Sequence, residues 1–349
     1  DRRVEAPLIA YDVISGLITL GIISQDDSPV IEDDTTPEVT QDLSPNAEPI
    51  LFSDGAAFPI DEDLVSRLTD STNTIEAARM SISLDGSAIT ATGNLQSVLT
   101  PSGEASTEAN TEAMPALLDN RERVNISAET LNYDGAEESA VYDGGTRLWQ
   151  GPISFVGDSL TLNRRIGGLT VRGDVETTIQ LLRLNEAVQR EEVSRTQAKA
   201  DLFAYDNIDH HARYEGEALL QSEYGDLKAN TISVFLKPDG RTLDRMEAEG
   251  SVMLRLEGRW ATGESLVYFE SDGRYEMEGA PVEIIEEVPP ETTGTVEPTR
   301  PSGTPEPPAC RTTSGKALTF YRGTDTVAVD GREQLRTESR THPCNPVAF

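Results

Sequence analysis

Three histidines and two cysteines, His210, His211, His342, Cys310 and Cys344, are the chain's whole supply of imidazole and thiol groups for nucleophilic or metal chemistry. They form no HExxH and no triad-like order, and no phosphate-cradling glycine loop accompanies them. Asp209-His210-His211 falls at a turn and reads as an exposed polar tip before it reads as a metal site. Acidic runs such as Asp61-Glu62-Asp63 and Glu32-Asp33-Asp34 lack calcium-loop spacing and read as solvated. Because 61 residues are acidic, closeness in sequence nominates no acid–base pair for glycoside hydrolysis. The expectation is therefore a non-enzyme: no catalytic residues, no metal and no cofactor.

Cys310 and Cys344 bracket the end of the chain and are the only thiols in it. Placed this way, they read as a staple formed in an oxidising compartment, with two independent thiols as the other reading. A closed loop of about 35 residues would stabilise by roughly 3–4 kcal/mol. The formal charge of −32 argues against nucleic acid and against an anionic membrane surface, since both need a basic footprint. The chain begins at Asp1 without a signal peptide and is expected to be a mature or truncated form. Ile14 to Ile23 is apolar but too short to span a bilayer, and fits a hairpin strand.

The elements that would position any site follow from a repeat. Eight times a small residue is followed three places on by an apolar residue and two places later by another: Ala6/Ile9/Tyr11, Ala77/Met80/Ile82, Ala128/Leu131/Tyr133, Gly157/Leu160/Leu162, Ala200/Phe203/Tyr205, Ala229/Ile232/Val234, Gly263/Leu266/Tyr268 and Gly315/Leu318/Phe320. A glycine closes every copy, at Gly21, Gly93, Gly144, Gly173, Gly216, Gly250, Gly279 and Gly331, in six of them eleven places after the last apolar residue. Spacing of two is the period of a strand. In the fourth copy Ser159 to Leu162 alternates, Asn163 to Gly168 supplies a turn, and Leu169 to Arg172 alternates again before Gly173. Each copy is thus one hairpin, and about sixteen short antiparallel strands point to a sandwich, jelly roll or β-solenoid. The glycine marks a bulge or bend. With 37% hydrophobic residues the core should be thin, as suits a sheet with one apolar and one wet face.

Three stretches interrupt the repeat: 24–50, 100–118 and 286–309 are rich in acidic, Pro, Ser or Thr residues and read as mobile loops or linkers. Residues 186–200 favour helix by propensity and read as a short helix or extended loop between copies four and five.

If the apolar pairs face inward, successive hairpins stack Leu131, Tyr133, Leu160, Leu162, Phe203, Tyr205, Leu266, Tyr268, Leu318 and Phe320 into a ladder. For any one of them a packed core position is the plain reading. The repetition as a whole, with few aromatics to fill the centre, points to an open groove that accepts acyl chains, each buried methylene adding about 0.8 kcal/mol.

The wording of the copies carries a resemblance. Ile126 to Asp134, Ala140-Val141-Tyr142, Arg147 to Gly151, Leu169 to Val175, Gly258 to Tyr268, Tyr275 to Val282 and Gly315 to Gly331 resemble the OstA-like repeats of the LptA family, to which LptC is related. That family serves lipopolysaccharide transport in the periplasm of Gram-negative bacteria. The resemblance implies an open, twisted antiparallel β-jellyroll whose interior shields lipid A acyl chains and bridges inner and outer membranes. It implies partners too: lipopolysaccharide, other Lpt-type β-jellyroll proteins or further copies of this chain stacked end to end, and assembly components of both membranes. Residues 119–349 would form the OstA-like domain, with a Pro-rich insertion at 286–309, and 1–118 an N-terminal partial β unit with acidic linkers. The length, acidic insertions and cysteine pair depart from short family members. They leave open an LptA-like bridge, an LptC-like fusion, or the soluble part of an outer-membrane assembly protein. A structural or adhesive cell-surface β-solenoid and a secreted polysaccharide-acting enzyme are the alternatives from other classes.

Overall fold

In the computed structural model, the described residues are 3–6, 9–12, 17–21, 65–100, 114–185, 190–256, 258–288, 309–322, 326–330 and 338–344. They form twenty strands and no helix. At the N-terminal end lie β1 (Arg3–Glu5), β2 (Ile9–Asp12), β3 (Leu17–Leu20), β4 (Ser66–Thr69), β5 (Asn73–Ala77) and β6 (Arg79–Ser83). An unbroken meander of longer strands follows: β7 (Ala88–Leu99), β8 (Val124–Asp134), β9 (Ser139–Gln150), β10 (Ile153–Asn163), β11 (Gly168–Asn185) and β12 (Arg190–Asp206). It continues through β13 (His211–Ser222), β14 (Gly225–Leu236), β15 (Leu243–Leu256), β16 (Arg259–Phe269), β17 (Arg274–Val288) and β18 (Ala309–Tyr321). Two short strands, β19 (Thr326–Asp330) and β20 (Glu338–Pro343), end the fold.

Each long strand pairs antiparallel with its sequence neighbours and shifts register near its middle, for example at Arg172/Val175 in β11 and Glu215/Ala218 in β13. The shift is a corner. Beyond it the strand belongs to a second leaf that lies over the first, as the ends of the fold make plain. The front part of β7 pairs with β6, whereas its rear part pairs with β5. Likewise β18 pairs with β19 on one side of its corner and with β20 on the other. The short strands are therefore halves of bent strands, β1 with β2, β3 with β4, β5 with β6 and β19 with β20, and the sheet amounts to sixteen bent strands in eight hairpins. This is an all-β, open antiparallel jellyroll, with β1/β2 at one edge and β19/β20 at the other.

The repeat's small residues and its glycines sit at the corners, except that Gly331 lies outside the described residues. Gly144 has φ +88°, and a Cβ there would come within 2.6 Å of the Glu129 Cβ on the facing strand. The left-handed backbone and the close approach both require glycine. The same left-handed pair of residues recurs at Gly93-Asn94, Gly173-Asp174, Gly216-Glu217 and Gly250-Ser251. Copy seven departs: its corner runs through Gly279-Ala280-Pro281, with the Ala280–Pro281 bond cis.

Residues 190–200 are strand, not helix or loop. Ser194, Thr196, Ala198 and Ala200 face inward and alternate with exposed residues, so the period of two is present without an apolar signal. Within the stretch expected to be a mobile loop, Met114 to Leu118 is placed instead, with Leu117 and Leu118 buried. Glu286–Val288 belongs to β17, while 24–50 and most of 286–309 lie outside the described residues. Strands from residues before 118 join the same sheet as those after it, through β7 and β8.

Candidate functional site

The ten residues of the expected ladder come together on the inner face of one leaf, the motif leaf. One row of register partners runs Ala91, Leu131, Tyr142, Leu160, Val171, Phe203, Tyr214, Ile232, Ala248, Leu266, Met277, Leu318, Val329. The adjacent row contains Tyr133, Leu162, Tyr205, Tyr268 and Phe320, with Leu169, Val234 and Tyr275 among those between them. Nine of the ten are buried and Tyr133 is half-buried. Inner positions of successive antiparallel strands must align in this way once the register is set.

Sequence reasoning missed the facing leaf. There Ser97, Ile126, Leu148, Phe155, Thr177, Ala198, Leu220, Leu227, Leu254, Ala261 and Ile284 form a matching row. A signal was present: the residue two places before each small corner residue, as in Ile126/Ala128, Phe155/Gly157 and Leu227/Ala229, points to the same inner side.

The two leaves close on one another where a groove was expected. The Phe155 ring lies 5.1 Å from Phe203 across the interior, Phe203 is 4.9 Å from Tyr214, and the Tyr214 hydroxyl shares a 3.0 Å hydrogen bond with Thr177 Oγ1. Burial raises the Tyr214 pKa and pushes Tyr142 and Tyr205 up to about 12, so all three remain neutral donors. Toward the C-terminal hairpins a cleft remains between the leaves, lined by Leu254, Ala261, Leu266, Met277, Ile284 and Leu318 among others, with a volume of about 10 Å³. An adjoining cleft reaching Ser222, Tyr224 and Asp226 has about 20 Å³. Each has the room of one or two waters.

Opposite the corners, the outer turns of the two leaves face each other across a mouth. Residues 114–122 cross it. On the motif-leaf bank, Asn207 Oδ1 accepts from Ala116 N at 2.8 Å and Asn207 Nδ2 donates to Met114 O at 3.3 Å. On the facing bank, the buried Gln150 side chain accepts from Asp119 N at 2.6 Å and donates to Asp119 O at 2.7 Å and Glu122 O at 3.0 Å. Arg241, in the β14–β15 turn, pairs with Asp119 at 2.7 Å, and its hydrogen bond holds the Asp119 carboxyl below the usual carboxylate range. Nearby the mouth is drawn together by a hydrogen bond from Leu182 N to Arg241 O of 2.9 Å.

The remaining chemistry-bearing residues lie elsewhere. His211 starts β13 on the outer face, stacked on Phe235 at 4.4 Å; it and His210 are half-buried, not an exposed tip. Burial and the neighbouring Arg213 lower the His211 pKa, which keeps the ring neutral. His342 in β20 shares a 2.7 Å hydrogen bond with Thr312 Oγ1. Cys310 and Cys344 are joined, S–S 2.05 Å, fastening the end of the edge strand β20 to β18.

Fold and interior together define a two-leaved open β-jellyroll with an apolar lining. No protein-family model matches the chain. No curated protein matches it. Among solved structures, it is similar to LptH from Pseudomonas aeruginosa, described as the LptA-homologous periplasmic component of the conserved lipopolysaccharide transport device. Identity is 14% and the TM-score 0.32, over 42% of this chain and 95% of that one.

Proposed function

We propose that this chain is a non-enzymatic periplasmic carrier that takes lipopolysaccharide acyl chains between its two leaves and relays them between inner and outer membranes, in series with related β-jellyroll proteins. The observation that carries the reading is the continuity of the inner rows, which pass without a charged residue from Ala91 to Val329 across seven hairpins. A lining of that kind suits long apolar cargo, whose burial is non-directional and proportional to area. The OstA-like wording of copies three to eight supports the choice of cargo. Strand edges at β1/β2 and β19/β20 suit end-to-end assembly, because an unpaired edge is a template for strand addition.

One observation favours a second reading. Phe155, Phe203 and Tyr214 already fill the centre, as a structural or adhesive β-protein with a dry core requires. The two readings part in a single experiment. The protein is purified from a Gram-negative host with a photoreactive residue at Tyr133, Leu162 or Tyr205, irradiated, and analysed for bound lipid by mass spectrometry. The carrier reading expects lipid A adducts at these positions. Absence of both co-purified lipid A and adducts sinks it in favour of the dry core.

A further inference from the structure

We infer that residues 114–122 are a displaceable strap over the mouth, and that Leu117 and Leu118 occupy apolar volume which cargo acyl chains take when the strap leaves. The inference rests on the carrier reading and deepens it by naming the entrance.

Three observations carry it. Leu117 and Leu118 are buried in the core and Met114 and Ala116 pack against it, whereas Asn120, Arg121, Glu122 and Arg123 are exposed, so the anchor is the apolar first half of the crossing. The fastenings belong to no strand ladder: Asn207, Gln150 and Arg241 hold the strap by side-chain contacts. Its release therefore leaves every strand–strand hydrogen bond in place. Finally, the latches sit on opposite banks, Asn207 and Arg241 in outer turns of the motif leaf and Gln150 at the outer end of β9 in the facing leaf. Any parting of the leaves draws these latches apart. With clefts of only about 10 and 20 Å³, entering acyl chains must displace something, and the strap leucines are the core groups whose removal disturbs no ladder.

The test compares three forms of the full chain, using cis-parinaric acid as a fluorescent acyl probe: the native protein; an unlatched variant with Gln150→Ala and Asn207→Ala; and a locked form with Asp119→Cys and Arg241→Cys joined by a bismaleimide. Uptake by the unlatched variant should be roughly tenfold faster than native, the effect of removing a few hydrogen bonds from a two-state closure, and uptake by the locked form should fall below native. Equal uptake by all three overturns the strap and leaves the carrier reading standing. No uptake by any form, the unlatched included, overturns both. Should the unlatched variant fail to fold, hydrogen exchange on the native chain decides. The amides of Ala116, Leu118 and Asp119 must exchange faster with probe bound, and unchanged exchange overturns the strap.

Discussion

Gly144 and Gly145 stand side by side at one corner and make separable demands on the chain. At Gly144 the backbone is left-handed and a methyl group would strike the Glu129 side chain; at Gly145, also left-handed with φ +66°, a Cβ would meet nothing within 4 Å. Gly144→Ala should therefore cost about 1–3 kcal/mol and Gly145→Ala about 1 kcal/mol, read from urea unfolding of each variant. Equal losses would refute the role assigned to close packing at the corner. Much at this scale was legible in the sequence. The ten ladder residues stand at inner register positions because the period of two and the corner spacing determine which side each faces. Phe155 carried the period of two but Thr177 carried no apolar signal, and that either belongs to a second, facing leaf becomes legible only when each strand is known to bend. The strap leucines were hidden for another reason: Met114 to Leu118 is a short unbroken apolar run at the end of a polar stretch, and such a run carries no period.

At the scale of the element, the bent hairpin is the unit, and its variations show what composition conceals. β12 begins with Arg190-Glu191-Glu192, which favours helix by propensity, yet β11 offers each of these residues a ladder partner, and β13 joins on the other side from Gln197 onward. Tertiary pairing overrides a preference worth tenths of a kcal/mol per residue. The last hairpin depends on a covalent bond. β19 and β20 are short edge strands, with no further strand beyond them among the described residues. The disulfide closes a 34-residue separation around them. Replacing both cysteines by serine should lower stability by up to about 3–4 kcal/mol. Amide exchange should rise in β20 and the adjoining part of β18 and stay unchanged in β7 to β16. Exchange rising evenly along the whole sheet would instead mean that the molecule opens as one unit.

For the whole molecule, charge is the large term. The formal charge is −32, and ion pairs such as Lys199 with Glu176, exposed on both sides, return little. Self-repulsion should dominate, so raising sodium chloride from about 0.01 M to about 1 M, which shortens the screening length from roughly 30 Å to roughly 3 Å, should raise the melting temperature. A fall would show that ion pairs outweigh repulsion. Fold class was legible at this scale because eight copies set a sheet of sixteen strands; the closure of the mouth was not, since it joins Gln150, Asn207 and Arg241 from three separate hairpins. The corners have one more consequence. Because every strand turns through both leaves, lengthening the chain by a copy widens neither leaf and thickens nothing: it extends the long axis by two strand spacings, about 10 Å. Sixteen strands make a span of roughly 70 Å on that axis. The copy number is thus a ruler, and distance bridged is a quantity that insertion or deletion of whole hairpins adjusts in fixed steps.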